Sequence, residues 1–378
     1  MYTPKIVKKV AFYIGYKRIT DFVYDDGKAY NEITIMQREN IIEVFDNKTG
    51  KVKAILQNVN SFDVQENCII TYDCLKYSAW TLNGKNILPS IYLKIQKHNS
   101  YFIVTTKTRK VGVYKWENNS LIEIIPPKEF VGVQLHLSGI NVVKESEGKL
   151  YRGFYSYDGG EVISPEYKEV NFNSRNIYVI THENKYGMFT YDGKQIIPPE
   201  YDFVRLYKNC YVVGIFNSKE YKYGLYTKEG KQILKARYDR YEIESPFVYF
   251  TRSFKKSVYN LNNGKRILPL EYEIIHKYYD VIYGTENYRE FFIHSAKTGK
   301  KILEGAYDSV QKGMPYILVL KKKSKAYYYI TKYNKLLDAH DYTVKYDEED
   351  KKIYVRKLSR NKKGEIIFKT KWELYGDW

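Results

Sequence analysis

The chain has 378 residues, with 62 Lys and Arg against 44 Asp and Glu, a net charge of +18. At 28% charged and 44% hydrophobic it is too apolar for a disordered polycation, and no apolar run approaches the roughly 18 residues of a membrane-spanning helix. Forty-two tyrosines against nine alanines argue against a helix-rich fold and for β structure.

Residues 1–44 read as N-terminal strands, with a degenerate repeat or cap. Their only apolar patch, Val10–Tyr16, is seven residues long and no small-residue cleavage site follows it. It is expected to be a first β-strand, not an export leader, in a cytoplasmic protein without membrane insertion. Asp26-Gly27-Lys28 reads as the remnant of a repeat. Residues 45–345 then form a repeat array. Gly50 marks one turn, and Trp80-Thr-Leu-Asn-Gly84-Lys-Asn-Ile-Leu-Pro-Ser-Ile-Tyr92 is the first good copy. A divergent copy spans Val111-Gly112 to Pro126-Pro127 and Phe130. An insertion at Leu135–Lys149 follows, and a break between sub-arrays is expected near 135–150. Tyr151-Arg-Gly-Phe-Tyr-Ser-Tyr-Asp-Gly159 leads to Tyr167. The clearest copies are Lys185-Tyr-Gly-Met-Phe-Thr-Tyr-Asp-Gly193-Lys-Gln-Ile-Ile-Pro-Pro-Glu-Tyr201-Asp and Lys222-Tyr-Gly-Leu-Tyr-Thr-Lys-Glu-Gly230 through Tyr238-Asp. Weaker copies carry Gly264 with Tyr272 and Gly299 with Tyr307, and Asn334-Lys335 marks a last one. Residues 346–378 read as a C-terminal hairpin and closing strand with a basic cluster.

Turn glycine and tyrosine are eight residues apart in six copies: Gly84–Tyr92, Gly159–Tyr167, Gly193–Tyr201, Gly230–Tyr238, Gly264–Tyr272 and Gly299–Tyr307. The period is about 35 residues, giving nine or ten units. Asn-Gly, Asp-Gly and Glu-Gly are tight-turn pairs. The Ile-Ile or Ile-Leu pair enters the core, Pro is expected to end the ladder at a sheet edge, and Tyr packs its ring inside with the hydroxyl near a rim. One unit parses into the short strands Gln195–Ile197, Phe203–Tyr207, Cys210–Phe216 and Tyr223–Thr227, an antiparallel meander. The fold class is all-β, an array of antiparallel meander repeats. A propeller-like arrangement is the first expectation and an open β-superhelix or solenoid the alternative.

This pattern resembles the bacterial WG (or KWG) repeat family, over roughly residues 45–345. Tyr186 and Tyr223 stand where that family usually has Trp, and Ser78 and Val258 are read at its Gly position. The resemblance implies a β-rich repeat and no particular chemistry.

No catalytic, cofactor or metal constellation stands out, and a non-enzymatic role is expected. The six histidines (98, 136, 182, 276, 294, 340) have no metal-ligand spacing. Cys68 and Cys74, six apart, would share a strand face and read as two buried thiols; with Cys210 they fit no disulfide scaffold. Asp347-Glu-Glu-Asp350 reads as a solvated hairpin tip. The acid after the repeat tyrosine (Asp202, Asp239, Asp308, Glu273) recurs in register, which points to a structural bond to a neighbouring turn. The candidate interaction surface is basic: Lys321, Lys322, Lys323, Lys325, Arg360, Lys362 and Lys363. Only 13 of the 62 cations are Arg, which disfavours bidentate nucleic-acid readout. The leading expectation is a scaffold that binds a protein partner, an acidic one, through a Tyr- and Lys-rich face. Nucleic acid and multivalent glycan binding are the alternatives.

Overall fold

The computed structural model describes residues 9–361, 363–367 and 371–375. Among these, eight four-stranded and two three-stranded antiparallel sheets follow one another along the chain. The four-stranded sheets span 26–57, 61–92, 94–125, 130–167, 169–201, 203–238, 240–272 and 309–338; the three-stranded ones span 274–295 and 342–374. They are numbered here one to ten in chain order, so 274–295 is sheet eight and 309–338 sheet nine. Each four-stranded sheet is a meander whose strands lie in sequence order. The only helical element among the described residues is the 3-10 turn Thr331–Tyr333. The chain divides into two compact units, Met1–Asn184 with Phe189–Lys194, and Lys185–Met188 with Gln195–Trp378.

Within each unit the core lies between successive sheets. Ile70, Ala79 and Leu88 of sheet two meet Ile95, Phe102 and Val104 of sheet three; Val212 and Leu225 of sheet six meet Val248 and Phe250 of sheet seven. Alternate residues of the central strands supply these contacts, as the two-residue period of a strand requires.

The eight-residue Gly-to-Tyr spacing has a structural cause. In sheet six Tyr223 faces Tyr238 and Leu225 faces Leu234, so two residues of the third strand span four of the fourth. The same offset recurs in sheet two (Tyr77/Tyr92, Ala79/Leu88), sheet four and sheet seven. The two extra residues form a bulge on the outer strand. Pro89, Pro165 and Pro269 sit inside these outer strands at the bulge. Proline therefore does not end the ladder as expected; it occupies a stretch where the missing N–H is not needed. The middle residue of the third strand must admit the bulge. A Cβ on Gly224 would lie 2.7 Å from the Leu234 carbonyl oxygen, and one on Gly187 2.8 Å from Pro199 Cα. This position is Ser78 in sheet two and Ser257 in sheet seven, because Lys256 and Val258 are the paired residues there. Val258, expected there from the sequence, is the paired neighbour one residue on.

The turn glycines join sheet to sheet. Gly193 has φ +84°, a left-handed conformation that a Cβ disfavours, and a Cβ there would lie 2.9 Å from the Val162 carbonyl of the preceding sheet. Gly159 stands in the same way over Ile124.

Other local expectations are revised. The unit parse identified real strands but cut them out of phase: Gln195–Tyr201 is the fourth strand of sheet five, and Phe203–Tyr207 opens sheet six. Asp26-Gly27-Lys28 lies in the strand Asp26–Ala29, not in a turn. A partial repeat does precede it, with Val10 bridged to Tyr24 and Lys9 paired to Asp25 at 2.5 Å. Val10–Tyr16 holds only the short strand Tyr13–Ile14, paired to Lys17–Arg18. Leu135–Lys149 contains the hairpin of sheet four with its strand Gly139–Ser146. In the C-terminal segment Glu373–Leu374 pairs with Val355 and Tyr354, and Ile366–Ile367 with Ser359–Arg360. Cys74 follows the end of the strand Cys68–Tyr72 and is exposed, whereas Cys68 and Cys210 are buried. The two thiols near residue 70 do not share a strand face.

Candidate interaction surfaces

The repeat tyrosines are core residues. Tyr92, Tyr167, Tyr201, Tyr238, Tyr272 and Tyr307 are all buried. Two hydroxyls cross to the next sheet and do not reach a rim: Tyr201 lies 2.8 Å from the Tyr226 hydroxyl, and Tyr272 2.9 Å from His294 Nε2. His294 Nδ1 is 3.0 Å from the Gly299 carbonyl. That nitrogen therefore carries the proton and Nε2 accepts from Tyr272. Burial holds His294 below the usual imidazole range and pushes the Tyr272 phenol up to about 12.

The acids after these tyrosines are staples. Asp202 accepts from Lys185 Nζ at 2.7 Å and from the Phe216 amide at 2.6 Å. Asp239 accepts from Lys222 at 2.7 Å and the Ser253 amide at 2.9 Å. The Lys222 bond, then the Ser253 amide, hold Asp239 below the usual carboxylate range. Asp308 accepts from the Lys323 amide at 2.5 Å.

That last bond places the basic run. Lys321 and Lys322 end one strand of sheet nine, Lys323 turns with φ +53°, and Lys325 starts the next strand. All four are exposed at one hairpin tip. Arg360 is committed internally, donating to the Gly364 and His340 carbonyls at 3.1 and 3.3 Å. Lys363 is an exposed turn residue, and Lys362 lies outside the described residues. Asp347–Asp350 closes a hairpin whose side chains cap their own turn amides. No group of three or more His, Cys, Asp or Glu suited to a metal occurs among the described residues.

A different series of residues is left for recognition. Four positions after each repeat tyrosine, in the first strand of the next sheet, stands an exposed polar side chain: Gln96, Asn171, Arg205, Glu242, His276 and Gln311. Gln134 holds the corresponding place after Phe130, as Lys28 does after Tyr24. The residue just before points into the core, as with Ile95, Val170 and Ile275. The first strand is the unpaired edge of its sheet, so nothing in the fold dictates the identity of this side chain.

Three hollows adjoin the series. In the first unit, one of about 890 Å³ is lined by Gln96, Gln134, two histidines and the Tyr101–Tyr157 ring pair. It shares Gln134 and His136 with a second, of about 590 Å³, which reaches Asn141 and Asn171 and the charged Arg152, Lys168 and Glu169. In the second unit a groove of about 570 Å³ is walled by Tyr186, Phe203, Tyr221, Tyr223 and Tyr241, with Arg205 beside them. Tyr186 and Tyr221 are exposed, and Tyr223 packs on Tyr241 at 4.9 Å. The first-strand series and these hollows were missed from sequence. The available signal was a polar residue in fixed register that changes identity from copy to copy.

The repeat class follows from this geometry. The family description "WG containing repeat" matches residues 153–186 and 186–213. Over that stretch the chain is similar to WG repeats, with Tyr186 in the aromatic position. Comparison with curated proteins gives no match. Among solved structures, the computationally designed Ika8 protein is 10% identical, with 78% of this chain and 91% of that one covered and a TM-score of 0.20. A eukaryotic initiation factor is 11% identical over 79% and 87%, at 0.24. The N-terminal domain of Nup159 is 12% identical over 63% and 73%, at 0.23. At such scores these likenesses carry no argument.

Proposed function

We propose that each unit is an arc of propeller-like blades and that the protein is a non-enzymatic binding scaffold whose main partner is an acidic protein. The observation that carries this reading is the first-strand series. The packing residues repeat from sheet to sheet, while one exposed polar residue per sheet does not. In the second unit Arg205 and Asp202 line a half-exposed aromatic groove, and Glu242 and His276 hold the Arg205 register in the next two sheets. Tyrosine and arginine in such a setting are typical anchors of protein interfaces. Exposed lysines follow the turn glycine at Lys51, Lys85, Lys194, Lys231, Lys265 and Lys300, which favours acidic over basic partners.

The test is capture from native lysate after nuclease treatment, with wild type beside Arg205→Glu and Tyr221→Ala. Partners that survive nuclease and are lost from both variants support the reading. Loss of every partner on nuclease treatment supports the nucleic-acid alternative instead, as would a steep fall of log affinity with log salt.

A further inference from the structure

The first unit holds a surface of the opposite character. In a chain of net charge +18, the 890 Å³ hollow has no Lys, Arg, Asp or Glu in its lining. Its polar groups are carboxamides, imidazoles and phenols, and its remaining walls are rings and aliphatic side chains. Two carboxamides of the first-strand series, Gln96 and Gln134, stand on consecutive sheets along it, and Asn171 continues the row in the adjoining hollow.

Two buried polar atoms in this wall have no hydrogen-bond partner: His136 Nδ1 and Asn141 Oδ1. Buried polar groups are ordinarily satisfied, and an orphan costs about 1–3 kcal/mol. Both residues line the smaller hollow. His136 is also held in place, its ring stacked on Phe172 at 4.3 Å and its carbonyl accepting the Tyr157 hydroxyl at 2.6 Å. The orphaned nitrogen is therefore a fixed feature of the wall.

We propose that these joined hollows bind a neutral oligosaccharide. A carboxamide both donates and accepts, as does a sugar hydroxyl, so Gln96 and Gln134 can follow a chain of hydroxyls along the uncharged larger hollow, while the smaller hollow adds Arg152, Lys168 and Glu169 beside Asn171. The flanking rings of Tyr101 and Tyr157 offer apolar surface against which the C–H faces of pyranose rings pack. An anionic ligand would find no cation in the larger hollow. This site is independent of the protein-binding groove of the second unit, since it uses different residues.

The experiment is calorimetric titration of the full chain with four neutral hexasaccharides: cello-, xylo-, malto- and N-acetylchitohexaose. Hexagalacturonate serves as the anionic probe and a neutral extended decapeptide as the peptide probe. Saturable binding of at least one neutral sugar is expected. It should weaken tenfold or more in Gln134→Ala and in Asn141→Leu. Gln134 is exposed, so its truncation leaves the fold intact. Asn141→Leu removes an unsatisfied acceptor and should leave the free protein's Tm unchanged or raised. The proposal is overturned if no neutral sugar binds, if binding is indifferent to both substitutions, or if the galacturonate or the peptide binds more tightly than every neutral sugar.

Discussion

Sheets six and eight carry the same pattern and end differently. In sheet six the third strand places Gly224 opposite the bulge, and the fourth strand Gln232–Tyr238 lies down fully. In sheet eight the same place is taken by Phe292, between Phe291, which bridges Tyr307, and His294, which bridges Lys301. Only those two isolated bridges form, and the sheet stays three-stranded. Phe292 instead takes Lys301 Nζ over its ring at 3.8 Å. The bulge needs room for backbone within van der Waals distance of the third strand. A small residue grants that room and a ring denies it.

The largest test of this contrast is Gly224→Val. It should cost about 3 kcal/mol by overpacking against the Leu234 carbonyl and the Ala236 amide, measured as a fall in the urea midpoint. A cost below about 0.5 kcal/mol, the range of neutral surface changes, would remove the close-approach argument.

Next is the buried hydroxyl. Tyr272→Phe strands His294 Nε2 and should cost about 2 kcal/mol, whereas Tyr201→Phe should cost about 1 kcal/mol. In the latter, Tyr226 keeps its bond from Gln232 Nε2 at 2.7 Å. Equal costs in thermal melts would mean the two cross-sheet bonds are equivalent after all.

A smaller effect separates the sheets by pH. His294 is buried neutral with a lowered pKa. Its contribution is therefore fully present above the unfolded value of about 6.5 and lost as pH falls through the lower folded value. His294→Tyr copies the Tyr226 of sheet six. The Tm of this variant should fall less than wild type between pH 7 and 5, and parallel curves would refute the assignment.

The smallest expected effect is local. Phe292→Ser, with the residue found in sheets two and seven, should slow hydrogen exchange of the Leu303 and Glu304 amides with little change in global stability. Unchanged exchange there would show that something other than the ring keeps the fourth strand from forming.

Much of this fold was readable because the bulge writes itself into the sequence. A constant eight residues from Gly193 to Tyr201, or Gly230 to Tyr238, is what a two-residue excess on the outer strand demands. Sheet boundaries were harder to see. The connection from Tyr201 through Asp202 to Phe203 is so short that the fourth strand of one sheet and the first of the next look like one hairpin. Leu135–Lys149 looked like an insertion because the strands of sheet four are longer than their counterparts and lack the motif residues. The recognition residues were less legible still. Gln134 and Asn141 differ from their counterparts because no packing rule constrains them, and a search for repeats discards such positions. The lysine run at Lys321–Lys325 drew attention by composition, yet its backbone is engaged by Asp308 in the same way as other repeat turns.

The aspartate staples have a consequence for how the chain is made. Asp202 reaches back to Lys185 and forward to the amide of Phe216, and Asp239 reaches back to Lys222 and forward to Ser253. Each carboxylate thus sits in the link between two sheets and binds both. As the polypeptide leaves the ribosome, the forward partner emerges only about 14 residues after the acid. Sheets six and seven can each be fastened to the sheet before them as soon as their first hairpin exists. Along this stretch the staple bonds that join sheet to sheet are all local, and none waits for a distant part of the chain.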